Sequence, residues 1–259
     1  MRKDIGRQWI IVCLVILTIV VNGLANALPL NNLTTGEISD RFKVFFVPAG
    51  YVFSIWGLIY LGQVAFAIYQ AMPSQRENPR LRGIGIAYVT GALANIIWLF
   101  LWHYEQFLLT LYAMLILLGS LIIIYLKLGI GREQVSSGER WLVHLPFSIY
   151  LGWITVATIA NVTSVLEFYG WNGWGISPST WAVIMLIAGT IIAAAVSLTR
   201  GDVAYSLVIV WAFAGIAVKH TDTWLVALSA TLAAIVTGLM LILGIVLTRR
   251  RLPGKQASL

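Results

Sequence analysis

Residues 93–102 read LANIIWLFLW, nine apolar residues around a single asparagine. With its flanks the run is long enough to lie in hydrocarbon, and there the Asn95 amide is an expensive group. Without a hydrogen-bond partner it loses solvation worth about 2–7 kcal/mol. The same Ala-Asn pair recurs in LAN at 24–26 and in IAN at 159–161. Three amides in apolar surroundings ask what kind of chain this is and what the amides touch.

Composition answers the first part. Of the 259 residues 59% are hydrophobic and 10% charged, against about 25% charged in a soluble domain. A bilayer core about 30 Å thick takes about 20 apolar residues per helix. Eight runs qualify, at 9–28, 48–72, 83–103, 106–127, 141–166, 180–199, 203–218 and 224–248. The expectation is an all-α integral membrane protein of about eight transmembrane helices.

The net charge of +7 is distributed in a way that excludes a nucleic-acid surface. If the N-terminus is cytoplasmic, 14 of the 17 basic residues fall in cytoplasmic segments, and only Arg41, Lys43 and Lys219 fall outside. That asymmetry follows the positive-inside rule, and it places both termini in the cytoplasm of a cell-membrane protein. MRKDIGR, the apolar run after it and ANA at 25–27 also resemble a signal peptide. The run is longer than the usual signal core of about 7–15 residues, so it is taken as a retained helix; cleavage would leave seven helices.

Cys13 is the sole cysteine, which excludes an intrachain disulfide and a cysteine metal site. All ten acidic residues fall at or beyond the ends of the runs, so the midplane charge that coupled transporters need is missing. Lys127 and Lys219 also lie near run ends, unlike a buried Schiff-base lysine. His103 and His220 share the outer side, where a metal or haem iron is conceivable, although solvated or hydrogen-bonded histidines are the commoner arrangement.

Asn26, Asn95 and Asn161 fall in one leaflet, and Asn22 precedes Asn26 by one helical turn. On the third run Asn95, Trp98 and Trp102 share a face; on the fifth, Trp153, Ala157 and Asn161 follow at steps of four. Each stripe suits helix packing, with each amide bonding a neighbouring helix. Each also suits a pocket for a planar hydrophobic ligand with one polar contact. The polar segment LNNLTTGEISDRFKVFF at 30–46 is long enough to fold over the outer mouth of such a bundle, and EFYGWNGWGISPST at 167–180 carries Trp171 and Trp174 at the interface.

These residues resemble the tryptophan-rich sensory protein family, the TspO/MBR relatives of the mitochondrial translocator protein (peripheral-type benzodiazepine receptor). FVPAGYVFSIWGLIY at 46–60 is similar to the family's loop into helix 2, with Pro48, Tyr51, Phe53, Trp56 and Tyr60 in comparable places. ANIIWLFLW resembles its helix 3 motif, and YLGWITVATIAN at 150–161 its helix 5 motif. The sequence departs from the family in carrying Ala49 where a second loop proline is usual, a Tyr51–Trp56 spacing one residue short, and Pro146 four residues before Tyr150. A sterol-contact pattern is absent after Tyr169, and only LIIIYLK at 121–127 fits that loose pattern.

The resemblance covers 9–166 and implies a five-helix TspO-like bundle, 1–168, followed by three additional helices with a basic tail, 169–259. It implies a membrane receptor or binding protein for planar hydrophobic ligands such as porphyrins or haem-like tetrapyrroles, often dimeric, with no obligatory cofactor; a tetrapyrrole-modifying enzyme has little support, because no acid–base pair or nucleophile with an activating partner can be placed inside the membrane. The expected ligand-binding residues are Tyr51, Trp56, Asn95, Trp98, Trp153, Ala157 and Asn161. An uncoupled permease for a hydrophobic or amphipathic molecule is the alternative. Ligand and membrane lipid are the expected partners, and Gly189, Ala193, Ala194, Ala195 and Ser197 are expected to pack the additional helices closely.

Overall fold

A computed structural model describes residues 2–28 and 30–250; the side chains of Arg2, Lys3, Asn26, Arg249 and Arg250, and residues 251–259 with Arg251 and Lys255, lie outside that description. Nine helices organise the described residues: α1 (Arg2–Ala27), the short α2 (Thr35–Asp40), α3 (Ile55–Ala71), α4 (Pro79–His103), α5 (Phe107–Lys127), α6 (Leu145–Phe168), α7 (Pro178–Arg200), α8 (Val203–Lys219) and α9 (Trp224–Arg250). One π-helical turn, Arg140–His144, leads into α6. The eight apolar runs all become helices. Seven helical spans are long and apolar enough to cross a membrane, and the 17-residue α8 is shorter.

Helix starts follow from local chemistry. Pro79 and Pro178 occupy first turns, where a missing N–H is an orphan in any case. The Asn78, Ser177 and Asp202 side chains accept the free N–H groups of Arg80, Thr180 and Tyr205. Gly201 ends α7 at φ 60°, a left-handed conformation that glycine adopts without a Cβ penalty.

α6 is the hub. Of its membrane-length span 78% is buried, against 22–44% for the other six. One side meets α3 and α5; the other meets α8, through which α7 and α9 join the bundle. The α6–α8 approach needs Gly152, because a Cβ there would stand 2.9 Å from the Tyr205 carbonyl oxygen. Ala193 and Ser197 of α7 are fully buried, and Ser197 Oγ hydrogen-bonds Ser206 Oγ of α8 at 2.8 Å. Gly189, Ala193 and Ser197 therefore sit in helix contacts, while Ala195 is exposed.

The two ends of the bundle differ in charge. At the basic end, Arg80 holds the buried Glu139 by two bonds of 2.7 Å. The buried Asp202 accepts from Tyr125 at 2.8 Å and Ser148 at 2.6 Å, with the Arg200 guanidinium over the Tyr125 ring. Tyr125 is thereby committed to Asp202 inside the protein, and the 121–127 pattern offers no tyrosine to a sterol.

At the opposite end, the segment before α3 docks on α8. The Ala49 N–H donates to the Gly215 carbonyl at 3.1 Å. This accounts for the missing second loop proline, since proline has no N–H to donate. Gly215 leaves room for Val52, which a Cβ would strike. We expect Ala49→Pro to cost about 1 kcal/mol, the net worth of one hydrogen bond. Gly215→Val should cost more, about 1–3 kcal/mol of overpacking. Thermal unfolding in detergent checks both, and Gly57→Ala, which meets open space, is the control.

Candidate functional site, a tryptophan-walled cavity

The loop between α1 and α3 folds over the end of the bundle opposite the basic end. Its helix α2 starts with a capping box, Thr34 Oγ1 accepting from the Glu37 N–H and Glu37 accepting from the Thr34 N–H. The loop is then tied to the end of α4. Trp102 Nε1 donates to the Thr35 carbonyl at 3.2 Å, and Asn31 Nδ2 to the His103 carbonyl at 3.3 Å. His103 Nδ1 lies 3.1 Å from the Leu30 carbonyl and Nε2 lies 3.1 Å from Thr35 Oγ1. A carbonyl only accepts, so Nδ1 carries the proton and Nε2 receives the Thr35 hydroxyl. Two ion pairs, Arg41–Glu105 and Lys219–Asp40, complete the fastening. His103 is thus a loop fastener, and His220 packs on Phe45 of the same loop.

Beneath this cap lies a cavity of about 70 Å³. Thr35, Ser39, Val47 and Pro48 roof it; Trp56, Trp98, Trp102 and Trp153 wall it; Asn95, Ala157 and Asn161 also line it. Trp98 and Trp102 stack at 5.4 Å, and Trp56 meets Trp153 edge to face at 6.2 Å. No charged side chain is among the lining residues.

Both amides have protein partners. Asn161 accepts from Trp98 Nε1 at 3.1 Å and donates to Thr110 Oγ1 at 2.9 Å, while Thr110 donates to the Phe107 carbonyl. Asn95 Oδ1 accepts from Asn22 Nδ2 at 2.9 Å. These bonds join α6 to α4 and α5, and α4 to α1. The group left over is Trp153 Nε1, which is buried without a hydrogen-bond partner while its indole lines the cavity.

Six of the seven residues singled out from the sequence, Trp56, Asn95, Trp98, Trp153, Ala157 and Asn161, come together around this cavity. Tyr51 does not: it is 48% exposed and its ring rests edge-on against Trp211. Its neighbour Val52 faces inward against Gly215 instead. The sequence reading missed Thr110 and the roof residues Thr35 and Ser39. Thr110 carries a signal of the same kind as Asn95, an isolated polar residue in the apolar run FLLTLYAM at 107–114.

A bundle of apolar helices of membrane-spanning length around a capped, aromatic, uncharged cavity is the architecture of an integral membrane protein. The family model described as TSPO-like protein matches residues 8–244. The chain belongs to that family. No curated protein and no solved structure matches it. The matched span corrects the expected limit of 9–166, because it runs across α7 and α8 and through most of α9.

Two outcomes follow for stability. Asn161→Leu strands Trp98 Nε1 and should cost about 1–3 kcal/mol. Asn22→Leu with Asn95→Leu should cost less than the sum of the single changes, since the pair is removed together; a double-mutant cycle on thermal unfolding reads this coupling. The loop supplies a pH dependence. Burial first, then the Lys219 charge, hold His220 below the usual histidine range, against the Val47 and Phe45 carbonyls. A depressed pKa means stability that is present above the unfolded value of about 6.5 and is lost as pH falls through the folded value. The melting temperature should fall between about pH 7.5 and pH 5, and less so in His220→Asn. Glu37, held down by the Thr34 N–H and hydroxyl, acts only below about pH 4.

Proposed function

We propose that this protein is a membrane receptor or binding protein for a planar hydrophobic ligand, with a porphyrin-like tetrapyrrole as the ligand the family resemblance implies. The observation that carries the reading is Trp153, an unmatched N–H donor in a cavity walled by four tryptophans. Flat indole faces suit a planar ring, and the free N–H gives it one polar anchor.

At about 70 Å³ the cavity is far smaller than the about 300–1,000 Å³ of ordinary ligand sites. We therefore assign the described conformation to the closed state, with the α2 loop displaced when ligand enters. The two ion pairs of the loop are solvent-exposed and contribute about 0–1 kcal/mol each, so most of the cost of displacement is the unpacking of Ile38 and Phe42 from Trp102 and Phe107 and the hydrogen bonds to α4. The role proposed is binding without catalysis, because no acid–base pair lines the cavity. The basic end is the proposed cytoplasmic end, in a cell-membrane protein.

An uncoupled permease is the second reading. It draws on a void of about 20 Å³ that shares Leu117 with the first cavity and is lined by Gln63 and Thr18. Gln63 Nε2 and Thr18 Oγ1 are both buried without partners. Porphyrin flux into proteoliposomes above that of empty vesicles would favour it.

Titration of the purified protein with protoporphyrin IX, read by tryptophan fluorescence, tests the leading reading. Saturable quenching is expected, with affinity at least about tenfold weaker, about 1.4 kcal/mol, when Trp98→Phe, Trp153→Phe and Asn95→Ala are combined. Non-saturable quenching, or equal affinity in the triple variant, would sink it.

A further inference from the structure

A second and larger cavity, of about 390 Å³, lies on another face of α6 and shares no lining residue with the first. The loop segment 43–46 closes one side, the last turns of α6 and the start of α7 form the others, and the Gly- and Trp-rich connection roofs it. Its volume falls within the range of small-molecule sites, about 300–1,000 Å³. Its wall is aromatic and aliphatic, with Phe46, Trp171 and Trp181 prominent.

A tryptophan cluster frames it. Trp181 Nε1 donates to the Gly173 carbonyl at 2.8 Å, and Trp171 packs on Trp181 at 5.0 Å. Trp174 beside them is 77% exposed. Such a tryptophan cluster at the end of apolar helices marks the membrane–water interface. The cavity therefore lies where a lipid headgroup meets its acyl chains.

The rim is what specifies the occupant. Lys43 and Glu167 both line the cavity, both are exposed, and neither forms an ion pair among the described residues. A simple fatty acid would satisfy the ammonium and be repelled by the carboxylate. A headgroup carrying one phosphate and one ammonium satisfies both, the phosphate at Lys43 and the ammonium at Glu167 beside the Trp171 indole, where a cation is also attracted to an aromatic face.

We propose that this cavity binds a zwitterionic glycerophospholipid of the surrounding bilayer, its headgroup bridging Lys43 and Glu167 and an acyl chain lying along Phe46, Trp171 and Trp181. The site depends on α7, and so on the part of the chain beyond the five-helix unit. It is independent of the tetrapyrrole reading, because the two cavities have no residue in common. Occupancy would also brace the loop segment 43–46, which runs directly into Val47 and Pro48 of the first cavity's roof.

The test is native mass spectrometry of the full chain from detergent micelles doped with equal amounts of phosphatidylcholine and phosphatidylglycerol. One retained phosphatidylcholine per chain is expected. Glu167→Gln, at an exposed position, should reduce the phosphatidylcholine-to-phosphatidylglycerol ratio at least about threefold, under 1 kcal/mol by the tenfold-per-1.4 conversion. Thr163→Trp, which fills the cavity from α6, should abolish retention. Thermal unfolding of each variant confirms folding. The proposal is overturned if wild type retains no lipid, if it prefers phosphatidylglycerol, if a folded Thr163→Trp protein retains lipid like wild type, or if Glu167→Gln leaves the ratio unchanged.

Discussion

In hydrocarbon there is no water to accept a stray N–H, so every buried polar group must find its partner within the protein. The Asn161 amide meets this constraint by accepting from Trp98 of α4 and donating to Thr110 of α5. One α6 side chain thus sets the spacing of three helices. Asn22 and Asn95 do the same for α1 and α4. With these bonds made, Asn95, Trp98 and Asn161 in the walls of the cavity all have partners in the protein. The buried Trp153 N–H, on a residue that lines the cavity, has no such partner.

The amides and the cavity are therefore one arrangement. Packing and binding were competing explanations for Asn95 and Asn161 while only the sequence was considered. In the structure the same side chains hold neighbouring helices and line the void between them. The α2 loop is held differently: by hydrogen bonds to α4, by exposed ion pairs and by Ile38 and Phe42 packed against Trp102 and Phe107.

The helices and the two stripes were legible from residues because burial in lipid demands length and apolarity, and because a four-residue step fixes a face. Trp98 and Asn161 could be placed on their faces in this way. That they bond each other could not, since a face does not reveal which neighbour it meets. Tyr51 shows the limit most clearly. Motif position suggested the cavity, but the backbone hydrogen bond from Ala49 to Gly215 turns the segment so that Val52 packs inward and Tyr51 lies against Trp211. That bond involves α8, and the role of α8 lay beyond what the five-helix resemblance described. The second cavity was hidden because the loop segment 43–46 that closes it lies far in sequence from α6 and α7.

On the proposed function, the cavity is closed and its loop moves before a planar ligand enters. Stopped-flow association of protoporphyrin IX with the double variant Arg41→Gln/Lys219→Gln, which removes both loop ion pairs, measures this directly. A faster association rate with an unchanged quenching end point is the predicted result. An association rate equal to that of wild type, with saturable binding intact, would show that the ligand does not enter past this loop and would contradict the account.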